Sequence, residues 1–492
     1  MLNYSGHPLY DVGVATVTAL AGKSEPRAIT NSDLERVADF IEQEYSREPL
    51  KSFLGVAFTT NAWFNQPSFA KYPERRREYA QRLLRSYDAQ LQSSERCVFT
   101  GEPVTSVAFS DKLHPGRAFR QHVPFLTGEG VINFYPWGDV GLPVSGTAVL
   151  CIQAMPLGCA KCGGKLLAVH SDNPELIFDF ASGFLRFNRQ ALLLAQEAGM
   201  KKMPEAKSSA KTLLIETLFE IEQRRLDEKL DRRPSSVTAY YFSNSGQANP
   251  LDDRNPPLEI FHLPLELMEY LSYCVSPLYR HKWSGIAERS WRLNLKRNGK
   301  KSGDRPRRNF LYEDLFHLPD IAPVFVRRYF LRIPVRNRPE DDPRRQYSLR
   351  DEASLVSWDL TGLFLWKVMN LDKERIEQIR CLGDRLAEYI NSENDRHFFM
   401  AFFSEMKYGY FRNSLIKANL SHVKNGNPPL ITLDPYLEIF EEGTDVARPD
   451  WRLARDLVLI RVIEKLYQLG WLGKNKDVLP DVESNQVSEE EE

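Results

Sequence analysis

The chain has 492 residues, 42% of them hydrophobic and 11% aromatic, which is typical of two or three folded domains with a sizeable core. Its six cysteines are too few for a disulfide scaffold. No run of about 18 uncharged apolar residues predicts a membrane span, and the first residues lack the pattern of a signal peptide, so we expect a cytoplasmic protein without a membrane partner. The net charge of −1 conceals a strongly basic middle and an acidic run at Glu489–Glu492, which predicts a polyanionic partner at one face.

The first 200 residues predict a domain that mixes helices and strands. Ser32 is a candidate N-cap with Glu35 at the spacing of a capping box. The apolar patterns predict helices over 32–45, 73–91 and 174–199, and strands over 53–60, 147–158 and 165–172. The last two of these strands flank a pair of closely spaced cysteines.

The polar, Lys-rich stretch 201–212 is the first candidate domain boundary. Beyond it the patterns predict a helix over 212–232, strands beginning at Ser236 and Ile260, a loop-rich basic region, and helical segments over 364–390, 395–420 and 450–471. We therefore expect an α+β fold with a mixed domain over 1–200, a basic region over 201–350, a helical bundle over 351–472 and an acidic, disordered tail over 473–492.

The basic middle of the chain favours contact with nucleic-acid phosphates. Between Arg280 and Arg308 eleven Lys or Arg residues face only Glu288 and Asp304, a net local charge of +9. Aromatic residues are interleaved with the cations, as in grooves that bind nucleic acids, although a solvated charged face is the alternative. The candidate phosphate-binding residues are Arg292, Lys296, Arg297, Lys300, Lys301, Arg305, Arg307 and Arg308.

The cysteine pair Cys159 and Cys162 has the C-x-x-C spacing that can bind one zinc ion. Cys97 is the best candidate for a third ligand, and Cys151 or His170 could supply the fourth. A structural zinc ion is therefore a candidate cofactor. The alternative is a vestigial site whose free thiols pack in the core.

The segment 59–69 (TTNAWFNQPSF) places amides among aromatic side chains. Asn61, Asn65 and Gln66 could read base edges, while Trp63 or Phe64 could wedge a duplex open. The alternative is a turn in which the amides cap the backbone and the aromatics fill the core.

Catalytic signatures are scarce. The chain contains no GxxxxGK[ST], GxSxG or HExxH motif. His170 with Asp172 and Asn173 could suggest a nuclease, but a histidine in this context is more often a ligand or a turn residue. Asp11 and Asp139 lack a carboxylate partner at metal-binding spacing and are predicted to form turns. We expect no catalytic residues.

Four segments resemble one protein family: YSGHPLYDVGVATVTALAG (4–22), LKSFLGVAFTTNAWFNQPSF (50–69), CVFTGEP (97–103) and FYPWGDVGLPVSGTAVLCIQAMPLGCAKCGG (134–164). They are similar to the large subunit of the type I-B CRISPR-associated Cascade complex. The resemblance is strong over residues 1–200 and loose over the helical end from 353. The chain departs from the family at Thr100, where a second cysteine would complete a zinc site.

The resemblance implies a non-catalytic role in RNA-guided DNA recognition. The guide RNA reads the target by base pairing, and a protein subunit reads a short flanking motif (the PAM) in the duplex and starts unwinding. The implied partners are the guide RNA, target double-stranded DNA, the Cascade backbone and small subunits, and a downstream helicase-nuclease or transposition adaptor. The implied motif-reading residues are Asn61, Asn65 and Gln66, with Trp63 or Phe64 as the wedge.

Two other classes of protein remain open. A stand-alone zinc-containing regulator would bind zinc and DNA without a guide. A metal-dependent nuclease built on His170 would cut DNA, but the sequence shows no spaced carboxylate cluster for it.

Overall fold

In a computed structural model of the chain, the structure describes residues 2–126, 140–230, 233–244, 255–294, 296–297, 300–301, 306–442 and 446–479. The chain divides into two compact units, Met1–Leu265 and Glu266–Glu492. Helices predominate and the strands form small antiparallel sheets, so the predicted α+β class and the helical character of the C-terminal region are confirmed. The acidic run Glu489–Glu492 lies outside the described residues.

The first unit begins with helices and continues with short strands and longer helices. In chain order its elements are α1 (Pro8–Leu20), α2 (Asn31–Glu44), α3 (Leu50–Leu54), α4 (Pro67–Lys71), α5 (Pro73–Leu84), β1 (Leu91–Arg96), β2 (Pro103–Thr105), β3 (Arg117–Ala118), β4 (Leu142–Pro143), α6 (Gly146–Ala154), β5 (Ala160–Cys162), β6 (Lys165–Ser171), α7 (Pro174–Glu197), α8 (Ala210–Asp227), β7 (Val237–Phe242) and β8 (Leu258–Leu263).

Helix α1 is the centre of this unit, and it packs against α6, α7 and β6. A Cβ atom at Gly13 would lie 2.2 Å from the carbonyl oxygen of Cys151 on α6, so only glycine permits this approach. The buried hydroxyls of Thr16 and Thr18 donate to the carbonyl oxygens of Val12 (2.6 Å) and Val14 (2.8 Å), which satisfies them without partners outside the helix.

Strands β5, β6, β7 and β8 form an antiparallel sheet in that order. Gly163 and Gly164 have φ angles of 55° and 81°, and they make the turn between β5 and β6. The predicted strands at 165–172, 236 and 260 are confirmed. The candidate boundary at 201–212 lies between β6 and β7, which are neighbours in the sheet, and therefore lies inside the first unit.

The predicted strands over 53–60 and 147–158 are wrong. Residues 50–54 form α3, and residues 146–154 form α6, whose N-cap Ser145 accepts a hydrogen bond from the backbone N–H of Ala148 (3.3 Å). Helix α6 is buried on nearly every side, so its sequence lacks the polar face that marks a helix, and a short apolar run of this kind is ambiguous.

The predicted helices over 32–45, 73–91 and 174–199 are confirmed as α2, α5 and α7, with α5 ending at Leu84. The cap of α2 differs from the prediction. Thr30 is the N-cap, and its hydroxyl and the carboxylate of Asp33 form the reciprocal bonds of a capping box two residues earlier than Ser32 and Glu35 would.

Regular secondary structure in the described part of the second unit is almost entirely helical. Its elements are α9 (Leu265–Cys274), α10 (Arg280–Glu288), β9 (Lys296–Arg297), β10 (Lys300–Lys301), α11 (Phe310–Asp314), α12 (Ala322–Phe325), α13 (Leu349–Glu352), α14 (Trp358–Lys367), α15 (Lys373–Glu393), α16 (Arg396–Ser404), α17 (Tyr408–Lys424), α18 (Leu433–Phe440), α19 (Trp451–Gln468) and α20 (Trp471–Lys474).

Helices α15 and α19 pack closely, with α14, α16 and α18 around them. A Cβ at Gly383 on α15 would lie 2.6 Å from Cβ of Arg461 on α19, which shows how near the two helices approach. The predicted helix over 364–390 is interrupted between Lys367 and Lys373, where Asp372 caps α15 by accepting a hydrogen bond from the backbone N–H of Glu374 (2.9 Å).

Candidate nucleic-acid interface

The amide-bearing segment 59–66 connects α3 to α4 as a series of turns. Trp63 and Phe64 are 2% and 3% exposed, and both rings contact the buried ring of Tyr45, with centroids 6.3 and 5.8 Å away. The predicted wedge role of Trp63 or Phe64 is therefore wrong for the described conformation. The alternative, that these aromatics fill the core, is correct.

A fully buried glutamine on α6 anchors this segment. The indole Nε1–H of Trp63 donates to Oε1 of Gln153 (3.1 Å), and Nε2–H of Gln153 donates to the carbonyl oxygen of His122 (2.7 Å). The hydroxyl of Tyr45 donates to the backbone carbonyl of Gln153 (2.7 Å). Because an indole N–H can only donate, the amide orientation is determined, and all of its polar atoms are used.

The same network continues to α5 through His122. The backbone N–H of Phe119 approaches Nδ1 of His122 (3.3 Å), so Nδ1 is the acceptor and the proton resides on Nε2, 2.6 Å from the hydroxyl oxygen of Tyr79. That hydroxyl in turn donates to the carbonyl of Phe109 (3.0 Å). Burial lowers the pKa of His122 to about 3, which keeps the ring neutral. The network therefore fixes both the amide segment and one face of α5.

The amides that were predicted to read base edges remain partly exposed. Within the described part of the chain, the side chains of Asn61, Asn65 and Gln66 take part in no hydrogen bond, and Gln66 does not cap α4. The backbone N–H groups of Asn65 and Gln66 donate to the carbonyl of Ala62 (2.8 and 2.9 Å), which fixes the turn. The segment thus presents three unused amides on a rigidly anchored turn, unlike the alternative in which they cap the backbone.

The basic middle carries less unopposed charge than the sequence indicates. Arg289 pairs with Glu352 (3.3 Å), Arg292 with Asp341 (3.5 Å) and Arg308 with Glu313. These carboxylates lie beyond the 280–308 window, which is why the local charge of +9 overstates the basic character of the folded region.

The remaining predicted phosphate ligands divide into two groups. Arg307 is exposed and its guanidinium carbon lies 4.6 Å from the ring centroid of Trp291, so it remains available to a phosphate. The other predicted residues, namely the side chains of Lys296, Arg297, Lys300 and Lys301 and the whole of Arg305, lie outside the described part of the chain.

The residues present do not fit the predicted zinc site. Cys159 precedes β5 with an extended backbone and Cys162 ends β5, and along an extended backbone side chains three positions apart point to opposite sides of the chain. Sγ of Cys159 lies 3.3 Å from Sδ of Met155, and burial raises the pKa of the Cys162 thiol to about 12. Cys97 is a buried free thiol, and the described residues contain no group of three or more His, Cys, Asp or Glu that could hold a metal ion.

The candidate nuclease residues have structural partners. Nε2 of His170 lies 3.0 Å from Oδ2 of Asp11. The same carboxylate accepts two backbone N–H groups, that of Ser5 at Oδ1 (2.7 Å) and that of Gly6 at Oδ2 (2.9 Å). Asp11 thus lies in the first turn of α1 and holds the preceding loop, rather than forming a turn of its own. Asn173 is the N-cap of α7. Asp139 lies outside the described residues.

Sequence-based reasoning left the arginines of α5 out of the site. Arg75, Arg77 and Arg82 are exposed on this helix, and it packs against α4, which begins one residue after Gln66. The run Arg75–Arg77 was the available signal, but the sequence does not show which cations remain unopposed after folding.

Comparisons with protein-family models, with curated proteins and with solved structures each find no match to this chain. Among the described residues, no helix combines the length and the apolar character that crossing a membrane requires.

Proposed function

We propose that this chain is the large subunit of a type I-B CRISPR-associated Cascade complex. In this role it assembles with a guide RNA and the backbone and small subunits, recognises a flanking motif in target duplex DNA, starts strand separation and helps to recruit a helicase-nuclease or a transposition adaptor. The resemblance of residues 4–22, 50–69, 97–103 and 134–164 to that family supports the proposal.

The observation that carries the proposal is the combination of a buried anchor with unused amides in one short segment. Trp63 is held by Gln153 inside the core, while Asn65 and Gln66, two and three residues further on, are partly exposed and form no side-chain hydrogen bond within the described chain. Discrimination between base edges needs donors and acceptors held in fixed positions, because a mobile amide would lose entropy on ordering. A segment built in this way suits motif recognition.

The role of these amides differs from that of the phosphate-contacting cations. Amide contacts to base edges specify a sequence, whereas Arg contacts to phosphates strengthen binding to every sequence. Replacing Asn65 and Gln66 by alanine is therefore expected to reduce the preference for the flanking motif by about 5- to 100-fold while guide-RNA assembly continues.

The decisive experiment co-expresses the chain with candidate guide-RNA backbone subunits and a guide, and measures binding to duplex DNA with randomised flanking bases. Guide-dependent binding with a flanking preference that requires this chain supports the proposal. Gln190→Ala with Gln196→Ala, two exposed amides on α7, is the matched control and leaves the preference unchanged. Binding by the isolated chain that is as tight and as motif-selective as binding by the guide-containing assembly would favour a regulator, and cleavage by the isolated chain would favour a nuclease.

A further inference from the structure

Helix α5 and the residue before it repeat one pair of side chains. The guanidinium carbon of Arg75 lies 5.0 Å from the ring centroid of Tyr72, and that of Arg82 lies 5.4 Å from the ring centroid of Tyr79. Each arginine follows its tyrosine by three residues, and the two pairs are seven residues apart. Seven residues are nearly two helical turns, so the pairs lie on one face, roughly 10 Å apart along the helix.

The inner face of α5 holds this arrangement in place. Ala80, Leu83 and Leu84 are buried, and the helix packs against α2 and α6. The hydroxyl of Tyr79 is 2.6 Å from Nε2 of His122, so the ring beneath Arg82 belongs to the buried network that also anchors the amide segment. Arg82 therefore lies over a fixed aromatic ring, which reduces the conformational entropy that it loses on binding.

The cations on this surface lack carboxylate partners. In the part of the chain that the structure describes, Lys71, Arg75, Arg76 and Arg82 form no ion pair, whereas Arg77 contacts Glu74 (3.4 Å) with both side chains largely exposed. We call the set Tyr72, Arg75, Tyr79 and Arg82, together with Lys71 and Arg76, the α5 surface.

Arg85, one turn beyond Arg82, shows the contrast. Its guanidinium contacts Glu35 (2.6 Å), Asp39 (2.5 Å) and Glu42 (2.7 Å), three carboxylates on α2. The fold thus neutralises Arg85 at the end of α5 and leaves Arg75, Arg76 and Arg82 without an ion pair among the described residues. Arg85 therefore stabilises the packing of α5 against α2 through its ion pairs. The guanidinium groups of Arg75 and Arg82 are available to an anionic partner.

We propose that the α5 surface binds the phosphate backbone of duplex DNA beside the flanking motif. This deepens the proposed function and rests on it for the assignment of the motif. Arg side chains bind phosphate oxygens with two parallel N–H donors. A separation of roughly 10 Å equals about three steps of axial rise at about 3.4 Å each when α5 lies along the duplex axis. The chain runs directly from Gln66 into α4, and α4 packs against α5, so the phosphate contacts would lie in the same part of the first unit as the amides that would read bases.

Duplex DNA fits better than single-stranded RNA because the tyrosines are committed to arginines. Stacking of unpaired bases needs an accessible aromatic face, and Tyr79 is half-buried with its hydroxyl bonded to His122. Tyr72 is 54% exposed, but Arg75 lies against its ring. The arrangement thus presents guanidinium groups, rather than open ring faces, to the partner.

The test uses the full chain and a 20-base-pair DNA duplex, and it measures the dissociation constant by fluorescence anisotropy at several salt concentrations. Each phosphate contact contributes about 0.9 to the slope of log affinity against log salt, so Arg75→Gln with Arg82→Gln is expected to lower that slope by about 1.8. Arg186→Gln with Arg189→Gln removes the same charge from two exposed positions on α7 and is expected to leave the slope unchanged.

Two outcomes would overturn the inference. One is an equal change of the salt slope in both double variants, which would show that the slope depends on the net charge of the chain and not on the α5 surface. The other is a loss of binding to single-stranded RNA of the same length with duplex binding intact, which would assign the surface to the guide. Thermal unfolding of each variant establishes that it is folded before binding is compared.

The duplex assay with the isolated chain does not depend on Cascade assembly. If guide-dependent recognition fails but the α5 double variant still lowers the salt slope, the proposed function is wrong and the DNA-binding role of the α5 surface is supported. If guide-dependent recognition succeeds while the α5 double variant has the same salt slope as its control, the DNA-binding role of the α5 surface is wrong and the proposed function is supported.

Discussion

Replacing Gln153 with methionine tests whether the buried amide holds the candidate interface in place. Methionine keeps nearly the same length and volume but removes both polar atoms of the amide. The indole N–H of Trp63 and the carbonyl of His122 would then lose partners at 3.1 and 2.7 Å inside the core. Each unsatisfied buried group costs about 1–3 kcal/mol, so the two together are expected to lower the free energy of unfolding by about 2–6 kcal/mol.

The loss can be measured by urea unfolding followed by tryptophan fluorescence. At about 2–4 °C for each kcal/mol, a change of about 2–6 kcal/mol corresponds to a fall in the melting temperature of about 4–24 °C for a folded unit of this size. Hydrogen exchange should rise at the backbone amides of Asn65 and Gln66, whose N–H groups bond to Ala62 within the anchored turn.

Combining Gln153→Met with Trp63→Phe isolates the bond between these two side chains. Once the indole N–H is absent, removing the amide oxygen should cost less, so the double variant should be more stable than the sum of the single variants predicts, by about 0.5–3 kcal/mol. A change below about 0.5 kcal/mol in Gln153→Met, or a coupling energy of zero in this cycle, would show that the network does not anchor the segment.

Four further predictions follow from other contacts. The pKa of His122 is lowered from 6.5 to about 3 by burial, so the stability that its neutral form contributes is present above pH 6.5 and is lost as the pH falls toward 3. The urea concentration at the unfolding midpoint should therefore depend less on pH across that range in His122→Gln than in the unmodified chain. Arg85→Met should destabilise the chain by about 1–2 kcal/mol at low salt and by less in 1 M NaCl, because its removal leaves three carboxylates close together and partly screened by solvent; an effect that does not depend on salt would contradict the ionic origin. Gly13→Ala should lower the melting temperature strongly or abolish soluble expression, since its Cβ would collide with the backbone of α6, whereas Gly183→Ala, where space is open, should be tolerated. Treatment with EDTA should leave the melting temperature unchanged, because the described residues contain no group of three or more His, Cys, Asp or Glu that could hold a metal ion. One equivalent of tightly bound zinc, measured by elemental analysis, would refute this.

Local patterns in the sequence were sufficient to predict the long elements that have one buried face. Helices α2, α5 and α7 and strand β6 were found from apolar periodicity. The same reasoning failed for α6, because burial on nearly every side removes the polar face that distinguishes a helix from a strand. It also placed the cap of α2 two residues late, since Thr30 and Asp33 offer the same chemistry as Ser32 and Glu35.

At the candidate site, too, the local sequence pattern and the tertiary contacts determined different features. The sequence identified a segment that combines amides and aromatics, and the structure assigned the two kinds of residue to different roles. Trp63 and Phe64 lie in the core, while Asn61, Asn65 and Gln66 remain partly exposed. Which side of a turn faces the core depends on partners such as Gln153, which is 90 residues away along the chain.

Charge shows the same limit of local reasoning. The sequence by itself determined the fold class, the long amphipathic elements and the presence of clustered cations. Only the tertiary structure decided which cations are neutralised, because their carboxylates come from distant positions: Glu352 reaches Arg289, and α2 surrounds Arg85. Coulomb interactions depend on separation in space rather than along the chain, so a window of sequence can count charges but cannot pair them.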